Sequence, residues 1–169
     1  MSKTRIEHHL KVSMLIILAI VAIPLAFQPN IYGQESQSRG VFVADLEPRV
    51  ASNGTGIAAF ELVGDDLMSY TINASVASDI GSIALAHSTG GRSTDIISFH
   101  SSSRDGLITA PINGTVASGN FTSADFTGNP LSGGTMADLV KRIADGEIFV
   151  RIGTSAFPVG ELVGKVAII

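Results

Sequence analysis

The chain has 169 residues and a mass of 17.5 kDa, enough for one domain plus a targeting segment and too few for a two-domain enzyme. With 45% hydrophobic residues, 15% charged residues and 18 Gly, its composition is that of a folding chain, and a net charge of −4 offers no basic footprint for nucleic acid. The absence of cysteine excludes disulfides, thiolate metal sites, a Cys nucleophile and a Cys-anchored lipid.

Lys3, Arg5, His8, His9 and Lys11 precede an uncharged run over 12–27 that holds Leu15, Ile16, Ile17, Leu18, Ile20, Val21 and Ile23. A basic start followed by an apolar run reads as an export signal. As a helix this run rises about 24 Å, short of the ~30 Å hydrocarbon core, and Pro24 interrupts it. Residues 1–33 are therefore expected to be a signal peptide cut after Gly33, with an uncleaved signal anchor as the alternative. Either way the remainder is expected to lie outside the membrane, contacting it only through an uncleaved N-terminal segment. Residues 34–40, Gln-Glu-Ser-Gln-Ser-Arg-Gly, read as a short polar tether.

The folded domain is expected over 41–169, as an all-β, antiparallel, Greek-key-like sandwich of about eight strands. Strands are expected at Val41–Glu47, Gly56–Val63, Leu67–Val76, Ser82–His87, Asp95–His100, Gly106–Val116, Glu147–Gly153 and Gly160–Ile168. In the third, Met68, Tyr70, Ile72, Ala74 and Val76 alternate with Ser69, Thr71, Asn73 and Ser75, so one face is apolar and the other nearly polar. Clusters such as Ser52-Asn53-Gly54, Gly64-Asp65-Asp66, Asp79-Ile80-Gly81 and Thr89-Gly90-Gly91 supply turns. Ser118–Gly134 reads as an ordered loop anchored by Phe121 and Phe126. One short helix is expected near 135–145: Thr135 caps it with Asp138 three residues on, Met136, Leu139, Val140 and Ile143 make an apolar stripe, and Asp145-Gly146 stops it.

From Thr135 onward the order is a helix, then Asp145-Gly146-Glu147-Ile148-Phe149-Val150-Arg151-Ile152-Gly153-Thr154, then Phe157-Pro158-Val159-Gly160-Glu161-Leu162-Val163-Gly164-Lys165-Val166. Upstream, Phe42-Val43-Ala44-Asp45-Leu46 leads into Gly54-Thr55-Gly56-Ile57-Ala58-Ala59-Phe60 and then the Tyr70 strand. In this order and spacing the chain resembles the CHRD (chordin-type) domain family over roughly residues 41–168, as a divergent member of microbial type. The resemblance implies a secreted or surface β-sandwich, and the family's best-known relatives bind extracellular signalling proteins. It also singles out Gly160, Glu161 and Gly164 as motif residues with a structural role, Glu161 as a carboxylate accepting hydrogen bonds at a sheet corner. The alternative for Glu161, from strand parity, is an exposed pair with Lys165. Departures are Leu85-Ala86-His87 where the family has His-Ile-His, Arg151 and Gly153 in place of its Asn and His, and Val163 and Lys165 in place of its Arg and Gln.

Chemistry-bearing residues are few. Beyond the N-terminal segment only His87 and His100 remain, whereas a catalytic metal centre draws on three or more ligands, and Asp95 lies an odd number of residues from His100, hence on the opposite strand face. No Gly-x-Ser-x-Gly elbow, calcium loop or phosphate loop is present. The expectation is a non-enzymatic, exported binding or structural module that meets an extracellular protein or surface component, with no cofactor. The alternative is a metal-binding redox or hydrolytic protein using His87 and His100. Asn53, Asn73, Asn113 and Asn120 head Asn-x-Ser/Thr sequons and are candidate glycosylation acceptors. Phe99, Phe149, Arg151 and Phe157 are candidates for an exposed docking patch.

Overall fold

A computed structural model describes residues 40–169; the expected signal segment at 1–33 and nearly all of the tether at 34–40 lie outside the described residues. Nine antiparallel strands form one curled sheet: β1 Val41–Pro48, β2 Thr55–Leu62, β3 Met68–Val76, β4 Ile80–Thr89, β5 Arg92–Ser101, β6 Ile112–Phe121, β7 Ile148–Thr154, β8 Leu162–Lys165 and β9 Ala167–Ile168. The order is β5-β4-β7-β8-β1-β2-β3-β6, with β9 beside the start of β1. The chain leaves the first arm (β1, β2, β3 and β6) after β3, builds the β4–β5 hairpin in the second arm (β5, β4, β7 and β8) and returns as β6 beside β3, a Greek-key-like crossing.

The two arms pack face to face because each strand hides one face. Alternation in β3 is realised as read: Met68, Ile72, Ala74 and Val76 are buried, while Thr71 and Ser75 are exposed. Across the core, Phe99 of β5 stacks on Tyr70 of β3 with ring centroids 4.2 Å apart and lies within 6.4 Å of Phe60 and 5.9 Å of Phe121. Phe99, a docking-patch candidate whose pattern fits core equally well, is the aromatic tie between the arms. Partial burial raises the pKa of the Tyr70 phenol, with Arg104 opposing it.

Helix α2 spans Met136–Ala144, and Thr135 caps it in a reciprocal box: Asp138 N donates to Thr135 Oγ1 at 3.2 Å and Thr135 N to Asp138 Oδ2 at 2.8 Å. Its stripe of Met136, Leu139 and Ile143 joins the same core. A second helical turn, α1 Ser102–Asp105, was not expected.

Four boundaries differ from the sequence reading. The expected strand Gly106–Val116 is divided: Gly106, at φ 80°, ends α1, Ile108 bridges to Ile80, and Pro111, which has no N–H, precedes β6. Strand β6 then continues through Phe121, so the loop is shorter than Ser118–Gly134; Phe121, Phe126 and Leu131 anchor it in the core. Ile80 and Gly81, read as a turn, open β4, because Ile80 is fully buried. The run Gly160–Ile168 is split at buried Val166, so β8 pairs with β7 and the end of β1 while β9 pairs with the start of β1.

Strand β1 is thus the seam of the sheet, and Gly164 sets how closely β8 lies against it. A Cβ at Gly164 would press into the carbonyl of Asp45 and approach Leu46 Cδ2 at 2.7 Å. Gly164→Ala is expected to push the arms apart and cost about 1–3 kcal/mol, the range for overpacking. Chemical denaturation would show this as a lower midpoint; an unchanged midpoint would mean the seam tolerates the methyl group.

Candidate functional site

The β1–β2 loop, the β7–β8 turn and the start of β8 meet at Glu161, which is 3% exposed. Its Oε1 accepts a hydrogen bond from Ser52 Oγ, and Oε2 accepts one from Thr154 Oγ1 at 2.7 Å. Each hydroxyl in turn accepts a backbone N–H, Ser52 from Gly54 at 2.9 Å and Thr154 from Phe157 at 3.2 Å. Two relays therefore run from loop backbone through a hydroxyl to one carboxylate. The main chain repeats the tie, with Arg49 N donating to Glu161 O and Glu161 N to Ile152 O at 2.9 and 2.8 Å. Gly160, at φ 143°, gives the turn a backbone conformation that L side chains rarely adopt. Lys165 is exposed on β8 and its Nζ lies over Gly146, away from Glu161, so the exposed Glu161–Lys165 pair does not form.

Beside this node a groove of about 640 Å³ opens between Ser52-Asn53-Gly54, Ser75–Ser78, Pro111–Asn113 and Phe157. Among the described residues, Glu161 is the only ionisable one that lines it. Phe157 is half-buried there, while Val159, at the tip of the same turn, is 84% exposed.

The structure does not bring the two histidines together. His87 lies toward the hairpin end of β4, four residues beyond Ile83, and His100 pairs with Ile83, so about 13 Å of strand separates their positions. His87 Nε2 is 3.1 Å from Glu147 Oε2, which also accepts from Arg142 Nη1 at 2.7 Å. His100 Nδ1 is 3.7 Å from Asp105 Oδ2. Asp95 and His100 pair with Ala86 and Ile83, an odd spacing that keeps them on opposite faces. Among the described residues no group of three or more His, Asp or Glu is placed to hold a metal ion. A metal centre shared by His87 and His100 is therefore not supported.

Arg151, expected in a docking patch, reaches from β7 across β4 to β5. Its Nη2 donates to Asp95 Oδ1 and Oδ2 at 2.8 and 2.6 Å, and Nη1 donates to Val159 O at 2.9 Å. The guanidinium ties an arm edge to the β7–β8 turn. Phe149 is half-buried on β7. Of the sequon residues, Asn53, Asn113 and Asn120 are exposed, and Asn73 is half-buried with its Oδ1 accepting from Thr115 Oγ1 at 2.8 Å.

Ser52 and Thr154 were missed by the sequence reading, since Ser52 looked like an ordinary turn residue and stands 109 positions from Glu161. The Arg142–Glu147 pair was missed too; it spans a helix end and the following turn, where no periodicity marks it.

The chain belongs to the CHRD domain family, whose model matches residues 38–166. No curated protein and no solved structure matches it.

Two predictions arise from this geometry. Glu161→Gln places an N–H2 against one of two hydroxyl donors in a buried site and is expected to cost about 1–3 kcal/mol. Melting temperature reads this, and a Thr154→Val, Glu161→Gln double cycle should show non-additive losses; simple additivity would mean the carboxylate and hydroxyl do not act together. The second concerns acid. Hydrogen bonding from His87 and then the Arg142 contact hold the Glu147 carboxyl below its usual value, Thr135 does the same for Asp138, and Arg104 lowers Asp105 to about 2. Groups depressed in the fold stabilise it fully above their unfolded values and lose that contribution as pH falls through the folded ones. Melting temperature should be level above about pH 5 and decline toward pH 2, with a modest amplitude because these groups are solvent-exposed. Glu147→Gln should shrink the decline.

Proposed function

We propose that this CHRD-domain protein is exported, released by or held on its N-terminal hydrophobic segment, and that its domain acts outside the membrane as a non-enzymatic binding or structural module. The observation that carries this reading is the use made of Glu161. The one ionisable residue that lines the groove among the described residues is buried and has both carboxylate oxygens engaged by hydroxyls that hold loops together. A general acid or base needs a group free to exchange a proton with a substrate, whereas this one is committed to the frame. Arg151 and Asp95 likewise join strands to a turn. The partner class is an extracellular protein or surface component; the acidic balance of the chain disfavours nucleic acid.

Family membership supports an extracellular setting, and the basic, then apolar, start of the chain supports export. The test is protease treatment of intact native cells producing the full chain. The domain should be degraded while a cytoplasmic marker survives; a domain protected until the cells are lysed would overturn export. Elemental analysis of protein purified from metal-supplemented medium tests the second half. Stoichiometric metal that disappears in His87→Ala or His100→Ala would overturn the non-enzymatic reading.

A further inference from the structure

Strand β6 ends the first arm and pairs only with β3 among the described strands. Free sheet edges invite pairing with another chain, and proteins commonly guard them with charge, proline or a covering segment. The other terminal strand, β5, follows that rule: it carries Arg92 and Asp95, and Thr127 N donates to Ile96 O across its edge. Strand β6 reads Ile-Asn-Gly-Thr-Val-Ala-Ser-Gly-Asn-Phe, with no charged residue and no proline. A bulge opposite the Ile72/Asn73 step breaks its ladder once.

What β6 does carry is an exposed asparagine near each end, Asn113 and Asn120, each followed two residues later by threonine. Residues two apart on a strand share a face. The cross-strand pairs Asn113 with Ser75, Thr115 with Asn73 and Asn120 with Ser69 put these side chains on the outward, uncharged face of the β3–β6 pair. The core-facing neighbours are Ile112, Ala117 and Phe121. In the sequon that begins at Asn113, Asn113 and Thr115 are both exposed residues, and the Thr115 hydroxyl donates to Asn73 Oδ1 at 2.8 Å. Asn73 differs: it is half-buried on the inner strand of the pair and stands diagonally beside Asn113, where a sugar on one leaves no room for a sugar on the other.

We propose that Asn113 and Asn120 carry N-linked oligosaccharides and that these guard the β6 edge, while Asn73 stays unmodified. The donor is a lipid phosphate- or pyrophosphate-linked oligosaccharide, used by the host's transferase. Asn Nδ2 forms a bond to the anomeric carbon, the anomeric C–O bond to phosphate breaks, the lipid phosphate leaves with that electron pair, and the amide gives up one proton. A bulky sugar at each end of β6 denies another chain the length of free edge that strand pairing requires.

This inference rests on export, since the donor is used on the far side of the membrane. The experiment is peptide mass spectrometry of the full chain isolated from its native cells, run beside the protease-accessibility assay on the same cells. Glycopeptides are expected at Asn113 and Asn120 and an unmodified peptide at Asn73. Asn113→Gln and Asn120→Gln should each remove one step of gel mobility, and the double variant, checked by circular dichroism to be folded, should shift from monomer toward self-associated species in light scattering. A chain that is protease-accessible yet unmodified at either asparagine overturns this inference and leaves export standing. A protected, unmodified chain overturns both. A folded double variant that stays monomeric removes the edge-guarding role.

Discussion

A carboxylate buried in a protein is costly unless its oxygens are satisfied, and the domain meets that condition at Glu161 with one hydroxyl from a loop 109 residues away and one from the nearby end of β7. The hydroxyl of Ser52 comes from the connection between β1 and β2, and that of Thr154 from the end of β7. Because each hydroxyl also accepts a backbone N–H, the carboxylate orders main chain and not only side chains. Those two segments bracket the seam where β1 pairs with β8, so the same acid that must be satisfied also fixes the place where one arm of the sheet becomes the other.

The seam needs one further condition, that backbones approach closely. Gly164 provides it by leaving room for the Asp45 carbonyl, and the C-terminal run then changes partners at Val166, where β8 ends and β9 returns to the start of β1. Curling brings β5 over β2, β3 and β6, and the stack of Phe99 on Tyr70 with Phe60 and Phe121 beside it fills the space that opens. Helix α2 contributes three buried side chains to the same core, and the Arg142–Glu147–His87 contacts hold its end to β7 and β4.

Charge is distributed unevenly over this frame. The paired strands β3 and β6 carry none, whereas Asp95, Arg151, Arg142 and Glu147 all belong to the second arm or its connections. Arg151 and Asp95 join β7 to β5, and Arg142, Glu147 and His87 join the end of α2 to β4, so these charges tie elements of the second arm together. The uncharged pair β3–β6 ends in the sheet edge on which the proposed sugars would stand, while Val159 forms an exposed tip on the β7–β8 turn.

Local rules made much of the fold legible. The strict alternation around Tyr70 sets which face of β3 is buried, because a strand has only two faces. Thr135 and Asp138 mark the start of α2, because a capping box needs only residues three apart. The Gly160-Glu161 and Gly164 frame also carries the resemblance to the family, and that resemblance implies a corner carboxylate. Other features depended on partners far along the chain. Ile80 looks like a turn residue beside Asp79 and Gly81 until the bridge to Ile108 and complete burial make it the start of β4. Phe99 reads equally well as surface or core, and only the closing of one arm over the other places it against Tyr70. Ser52 has no spacing that links it to Glu161. Sequence determined the strands, the helix and the family, since those follow from neighbours within a few residues; tertiary structure decided the donors of the buried acid, the split of the last strand and the separation of His87 from His100, since those depend on how the sheet curls.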